Sequence, residues 1–427
     1  MPPVVDAFGI LRLGGASLAE LVGALGTPTY VYDVDAMAAE AREVVAAFDD
    51  APHLVAYAVK ANTAGCVIRA ISAAGCGADI VSGAELRVAL ACGIAPDRIL
   101  YSGVAKTDDE LDAAIACGPR GIGAIQVESI EEISRIEARA HAAGRRVRAS
   151  VRVNPSLELH GMTHANIATG HDEAKFGVPR ADVPRAIGRI DESPHLELVG
   201  LGAHVGSQFT SVAPVVESAR ALFDFARAAR ASGRSRSLAF VDTGGGFGID
   251  YGGEGRDALR PSDFVRAVRA EQRRAGVDDL ALYVEPGRSL VAAHGVLLAR
   301  VVQSKVAAAM RWLMIDAGMN DLIRPALYQA RHRIVPLESA GAPAKARWRV
   351  VGPVCESSDD FGEHLLPDPA PGAVAILDAG AYGYTMASRY NGRQPPVEAF
   401  ISGGRLVGAT RRESVDAWVE ERVAAGA

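Results

Sequence analysis

Eight short β-branched runs, most of them separated from the next by an amphipathic helical stretch, constrain this chain more than any other feature. The runs fall at 53–60, 76–82, 98–103, 123–128, 147–153, 198–206, 238–243 and 280–285. Helix-like segments rich in Ala, Leu and Arg lie at 83–92, 108–117, 129–143, 215–232 and 262–275. Strands alternating with helices build parallel sheets, because a crossover helix returns the chain to start the next strand in the same direction. A doubly wound open sheet is one solution. The count of eight favours the other, a closed (β/α)8 TIM-like barrel.

The texture changes near residue 290. Helical periodicity fades, and strand-like runs at 296–306, 311–316, 331–337, 347–352, 373–378 and 397–407 follow one another between Gly, Pro and Asp. This pattern predicts a C-terminal, mostly antiparallel β domain. The early run TYVYD (29–33) precedes any barrel helix and could join that sheet. The expected division is a barrel over 36–290 and a β domain made of 1–35 plus 291–427. A chain of 427 residues, 49% hydrophobic and 22% charged, suits two such domains. A net charge of -6 argues against a nucleic-acid partner. The opening MPPVVD shows neither a basic n-region nor an apolar core, and no uncharged apolar run approaches a membrane span. Five cysteines, odd in number and without C-x-x-C spacing, suit a reducing cytoplasm and no structural zinc; no metal is expected. The polar stretch 155–175 is long for a loop, and reads as functional or inserted.

A (β/α)8 barrel carries its chemistry at the C-terminal ends of its strands. Those ends read Lys60, Asp79 with Ser82, Ser102, Glu128, Asn154, His204 with Ser207, Gly244-Gly245-Gly246, then Glu285 with Arg288. Lys60 leads this ring. A lysine closing a buried strand is costly to desolvate unless paired or deprotonated, and one use for it is to hold a carbonyl as a Schiff base. A snorkelling strand-end lysine is the plainer reading of Lys60 alone. The run DTGGGFG (242–248) offers backbone N–H groups to an anion such as a phosphate, or else a flexible turn. Glu285 could hold a protonated pyridine nitrogen, or pair with Arg288 in a turn. His204 could stack on a flat ring, or be a hydrogen-bonded core histidine. Together the parts suit a pyridoxal-phosphate site.

The second domain adds three clusters. Arg324 and Tyr328 stand four apart, on one face if the segment is helical, although Pro325 disturbs a helix. Cys355 and Glu356 place a thiol beside a carboxylate in a Gly-Pro-rich loop; a buried inert cysteine is the plainer fate of a thiol. Tyr382 lies among small residues, in DAGAY (378–382).

The motifs YAVKAN (57–62), ADIVSGAE (78–85), HANIATG (164–170), KFG (175–177), HVGSQ (204–208), GGGFG (244–248), EPGR (285–288), MNDLIRPALY (319–328), CES (355–357) and DAGAY (378–382) run in order over nearly the whole chain. In this combination the chain resembles the fold-type III pyridoxal-phosphate decarboxylases of amino acids, and within them the bacterial diaminopimelate decarboxylases. The resemblance implies that Lys60 carries pyridoxal 5'-phosphate as a Schiff base and that His204 stacks on its ring. It implies that Ser207, Gly245, Gly246, Gly287 and Arg288 surround the cofactor, with Tyr382 near the phosphate and Glu285 at the ring nitrogen. Arg288, Arg324, Tyr328, Glu356 and Tyr382 would bind the amino-acid substrate, and Cys355 would return a proton after carbon dioxide leaves. It also implies a homodimer with shared active sites, to which Cys355 and Glu356 come from the partner subunit.

Two positions depart from the family pattern. Ser358 stands where Cys-Glu-Ser-Gly-Asp is usual, and Val205 where His-Ile-Gly-Ser is usual; the first bears on backbone geometry, since serine enters positive φ less readily than glycine. A substrate with a second amino-acid head presents a carboxylate suited to Arg324, aided by Tyr328, and an ammonium suited to Glu356. That favours diaminopimelate over the tails of ornithine or lysine. The alternatives are a related decarboxylase acting on ornithine, lysine, arginine or a carrier-bound amino acid, a non-catalytic binding protein of the same fold, and an alanine racemase.

Overall fold

The structure, a computed structural model, describes residues 2–157, 174–233, 236–252, 259–338 and 345–424. The chain divides into two compact units. One comprises Ala38–Ile249 with Asp257–Leu290, the other Met1–Met37 with Asp250–Arg256 and Val291–Ala427.

The first unit is a closed parallel barrel. Its strands are β1 (His53–Ala58), β2 (Gly77–Ile80), β3 (Ile99–Tyr101), β4 (Ala124–Val127), β5 (Val147–Asn154), β6 (Leu196–Gly202), β7 (Phe240–Asp242) and β8 (Ala281–Val284). Each pairs in parallel with the next, β8 pairs with β1, and the ring has no free edge. The eight expected runs are thus the eight barrel strands; most are shorter than expected, but β5 runs one residue further, to Asn154, and β6 starts two residues earlier, at Leu196, and stops at Gly202. A two-residue strand, Val178–Pro179, pairs beside the end of β5.

Side-chain chemistry grades along the barrel. Leu54, Leu100, Ala124 and Phe240, close to the starts of their strands, form an apolar plug with Ala56 and Val199. Burying such a plug is the main favourable term holding the ring shut. The polar residues gather where the strands end. The helices that leave those ends are started by local caps: Ser82 accepts from Glu85 N, Ser129 from Glu132 N, and Thr107 with Glu110 forms a capping box. Among the described helices of eight or more residues, five escape the sequence reading: Val34–Ala46, Gly65–Ala73, Val183–Asp191, Leu18–Leu25 and Val415–Ala424. The second is spelled GCVIRAISA, whose glycine start and β-branched residues mask its period.

The second unit is built on a nine-stranded, mostly antiparallel sheet. Its long strand Gly295–Ala307 pairs antiparallel with Met310–Ile315, Ala373–Ile376 and the early strand Thr29–Asp33, which therefore belongs to this sheet. The expected run 397–407 is two strands, Val397–Ser402 and Arg405–Ala409, folded at Gly403 and Gly404, which both take positive φ (55° and 76°). Asp360–Pro367 is a strand that the sequence reading lacks. Its charged start and Gly362 at φ 87° break the alternation, yet it pairs along Lys345–Val351. Leu11, Leu13, Val31, Val296, Leu298, Ala375, Ala399 and Ile401 share this unit's core. Among the described residues no helix is long and apolar enough to cross a membrane.

Candidate active site

Strand β1 stops at Ala58, two residues short of the expected end, and a 3-10 turn over Val59–Ala61 carries Lys60 out of the sheet. Lys60 Nζ lies 2.5 Å from Asp79 Oδ2; the lysine side chain is one-third exposed and the aspartate is fully buried. Ala58 N donates to Pro286 O at 3.1 Å, which ties the turn after β8 to the turn after β1. A Cβ on Gly287 would stand 3.0 Å from the Cβ atoms of both Ala58 and Ala61, so this position keeps its neighbours close only as glycine.

Beneath the lysine lies an excess of carboxylates. Asp79, Asp242 and Glu285 are all buried. Gln126, inside β4, donates both amide hydrogens across the barrel, to Asp242 Oδ2 at 3.1 Å and to Glu285 Oε1 at 2.9 Å. Ser102 Oγ donates to the same Glu285 oxygen at 3.3 Å, and Gly244 N to Asp242 Oδ1 at 2.9 Å. Burial, reinforced by the charges of Asp242 and Asp79, holds the Glu285 carboxyl well above the ordinary range, while burial pushes Asp242 up to about 6. Asp79 Oδ1 is buried with no hydrogen-bond partner among the described residues. Three acids around one amine in an apolar barrel form a site short of positive charge. A protonated pyridine nitrogen supplies what is lacking, so these residues fit a pyridoxal ring.

The glycine run stands beside this cluster. A Cβ on Gly245 would meet Glu285 O at 2.1 Å; Gly246, at φ 88°, would meet Gly206 O at 2.4 Å. Backbone from three strand ends can converge here only because side chains are absent. Gly245 N donates to His204 Nδ1 at 3.2 Å, so that nitrogen carries a lone pair. Desolvation, with Arg152 and Lys60 nearby, holds the imidazole well below its usual pKa. The 3.8 Å approach of His204 Nδ1 to Glu285 Oε2 is therefore no ion pair. Arg288 Nη2 donates to Ser207 Oγ at 3.0 Å, joining two of the expected residues.

Glu128 of the ring, and Lys106 near it, are structural. Glu128 accepts from Arg152 Nη1, Gly103 N and Gly177 N, each at 2.8 Å, and ties together the segments after β3 and β4, β5 and the chain at 177. Lys106 is as buried as any lysine here but saturated, by Gly103 O, Gln126 O and Glu132 Oε1 at 2.6 to 3.0 Å. Its three contacts hold it inside the wall of the barrel, whereas Lys60 stands on a strand-end turn, one-third exposed. Gln126 and Arg152 were not singled out in the sequence; the available signal was one amide inside the apolar run Ala124–Val127. The expected motif at 164–170 lies outside the described residues, whereas Phe176 lies under Arg152, 4.8 Å from its guanidinium carbon.

The remaining candidates stand in the second unit. Arg324 opens the short helix Arg324–Tyr328, in which Pro325 sits in the first turn, where its missing N–H costs nothing. Arg324 is buried and Tyr328 half-buried. Tyr382 holds φ 54°, a costly conformation for an aromatic residue and one that occurs disproportionately at functional sites. Cys355 and Glu356 are exposed; Cys355 N donates to Asn391 Oδ1 at 2.9 Å, and Tyr390 Oη to Glu356 Oε1 at 2.6 Å. Buried Asp359 braces this loop, accepting from Val354 N and Met319 N at 2.7 Å each. Ser358 is not among the positions of positive φ, so serine in place of glycine leaves this loop unstrained.

Comparison with known proteins converges on one family. Residues 34–292 match the pyridoxal binding domain of the pyridoxal-dependent decarboxylases. The diaminopimelate decarboxylase of Pseudomonas aeruginosa is 38% identical over 404 residues, 94% of each chain. That of Zymomonas mobilis is 36% identical over 414 residues, 96% of this chain and 95% of the other. The crystal structure of the diaminopimelate decarboxylase of M. jannaschii, in co-complex with L-lysine, superposes with a TM-score of 0.89 at 32% identity, covering 98% of this chain and 97% of that one. With the closed barrel, the antiparallel second unit and the acid-rich lysine site already in place, these likenesses mean that the chain belongs to the pyridoxal-phosphate-dependent diaminopimelate decarboxylases.

Proposed function

We propose that this chain decarboxylates meso-2,6-diaminopimelate to L-lysine and carbon dioxide, with the barrel's polar ring holding the cofactor. The observation that carries the reading is the cluster of buried acids: Asp79 against Lys60, Glu285 within reach of its charge, and Asp242 joined to Glu285 through Gln126. Lys60 is the amine that holds the cofactor's aldehyde. Glu285 would hold the proton on the ring nitrogen, and Gln126 keeps Glu285 aimed. His204, neutral and anchored by Gly245 N, offers a flat uncharged face to the ring. Ser207, Gly245, Gly246, Gly287 and Arg288 would hold the cofactor, and Tyr382 would serve its phosphate. When bound, pyridoxal phosphate supplies a ring that absorbs the electron pair left by carbon dioxide.

The substrate's far end is the task of Arg324 and Tyr328 for its carboxylate and of Glu356 for its ammonium, with Arg288 and Tyr382 as further contacts. Cys355 returns a proton to the reacting carbon. An exposed thiol and an exposed carboxylate on one braced loop suit action in a neighbouring copy's site, so the working form is a cytoplasmic homodimer whose Cys355 and Glu356 serve the partner subunit. The L-lysine complex of the M. jannaschii relative supports a site that takes this product.

The test is Lys60→Ala, purified with added pyridoxal phosphate. The expected outcome is loss of the lysine-bound cofactor's absorbance and of carbon dioxide release from diaminopimelate. Retention of both would overturn the assignment.

A further inference from the structure

Arg324 is held by His332 and Tyr251 among its neighbours, and the way it is held bears on what it can bind. Its Nη1 lies 2.7 Å from His332 Nε2, and its guanidinium carbon stands 4.4 Å from the centre of the Tyr251 ring. His332 is fixed in turn: Nδ1 lies 2.8 Å from Leu377 O, and the ring meets Tyr251 edge-on, 5.2 Å between centroids at 69°. A carbonyl oxygen only accepts, so Nδ1 carries the hydrogen. A guanidinium only donates, so Nε2 must offer its lone pair. The network closes from both ends on neutral imidazole in the Nδ1–H tautomer.

A neutral acceptor orients the arginine fork without cancelling its charge. A carboxylate in the same place would hold the fork as well, but would neutralise it and compete with an incoming anion. The local sequence keeps the two tasks apart. Arg333 takes up Asp378, through Nε at 3.0 Å and Nη2 at 2.8 Å, and Leu377 N donates to Arg333 O at 2.8 Å. Two consecutive residues thus meet two consecutive residues: Arg333 hydrogen-bonds the acid, whose charge Arg324 also feels, and His332 aims Arg324. The Tyr251 face sets the plane of the guanidinium, as aromatic faces do for arginine.

We propose that His332, with Tyr251, is a positioning residue that orients Arg324 toward the carboxylate at the far end of the substrate. The proposal rests on the reading of Arg324 given above. It makes the pair a determinant of specificity for ligands that carry a distal carboxylate.

The test uses calorimetry on the pyridoxal-phosphate-loaded enzyme with two probes. L-lysine keeps a carboxylate at the end away from the reacting amine; cadaverine has none. His332→Asn can still donate to Leu377 O but falls short of Arg324, whereas His332→Gln places an amide oxygen near the Nε2 position. His332→Asn is expected to raise the L-lysine Kd about tenfold, to leave the cadaverine Kd unmoved, and to raise KM for diaminopimelate with kcat changed less than about twofold. His332→Gln is expected to restore most of the loss. Should His332→Asn fail to fold, Tyr251→Leu is expected to shift the same ratio in the same direction. Equal changes for the two probes, or no change in a folded variant, overturn the proposal. Arg324→Ala serves as the reference and is expected to abolish the preference for L-lysine over cadaverine. If Arg324→Ala keeps that preference, the reading of Arg324 itself falls; if it loses the preference while both clamp variants keep it, only the role of His332 and Tyr251 falls.

Discussion

Glu285 is an acid where a barrel least tolerates a charge, and that cost separates stability from activity. Burial raises its folded pKa, so without cofactor the folded chain holds a proton there to higher pH than the unfolded chain does. The ionised form therefore opposes folding as pH rises. Glu285→Gln is expected to raise the melting temperature of the cofactor-free protein at pH 8, while lowering kcat by on the order of a hundredfold. Parallel melting curves and single-turnover rates would check both halves. Glu398 offers the same physics away from the proposed site. It is buried, accepts from Tyr32 Oη at 3.1 Å, and is pushed up to about 7 by burial. Its effect on stability is absent below pH 4, where both states are protonated, and grows unfavourable through about pH 4.5 to 7. Glu398→Gln, which keeps an acceptor for Tyr32, is expected to leave stability unchanged at pH 4 and to raise it by on the order of 2 kcal/mol at pH 8. A gain equal at both pH values would sink this account.

Single side chains also hold the barrel's elements together. Glu128 ends β4 and receives three donors from other segments, one of them the buried guanidinium of Arg152. Glu128→Ala leaves that cation without its anion and two backbone N–H groups without an acceptor. A loss of about 3–5 kcal/mol in chemical denaturation is expected, the usual consequence of breaking a buried pair from one side. Thr107→Ala removes one half of a capping box at an exposed helix start and is expected to cost only about 1 kcal/mol. The contrast reflects whether water can replace the lost partner. The two elements also differ in legibility. Thr107-x-x-Glu110 is local chemistry that a reader can find from spacing alone. Glu128 is legible as a polar strand end, but its partners at 103, 152 and 177 are not, because strand register decides them.

At the scale of the molecule, the proposed homodimer makes a quantitative prediction. If Cys355 of each chain serves the site built on Lys60 of the other, Lys60→Ala and Cys355→Ala variants are each inactive, and a mixed dimer holds one intact site. Refolding the two together at equal amounts is expected to recover about a quarter of wild-type activity, since half the dimers are mixed and each has one of two sites. No recovery, with mixed dimers confirmed by mass, would exclude sharing.

The alternation of β-branched and amphipathic runs by itself determined a parallel α/β unit followed by an antiparallel sheet, and its count of eight favoured the closed barrel over an open sheet. Hydrophobic period and crossover geometry are local properties that the chain carries in its own spelling. The residues at the strand ends were legible for the same reason, since a barrel puts every strand end at one mouth. What only the tertiary structure decided is which groups meet. Gln126 bridges two acids from 116 and 159 positions away, and His332 meets both Arg324 and the carbonyl of Leu377. Contacts of that kind depend on register and on distances of a few tenths of an ångström, which no local pattern encodes.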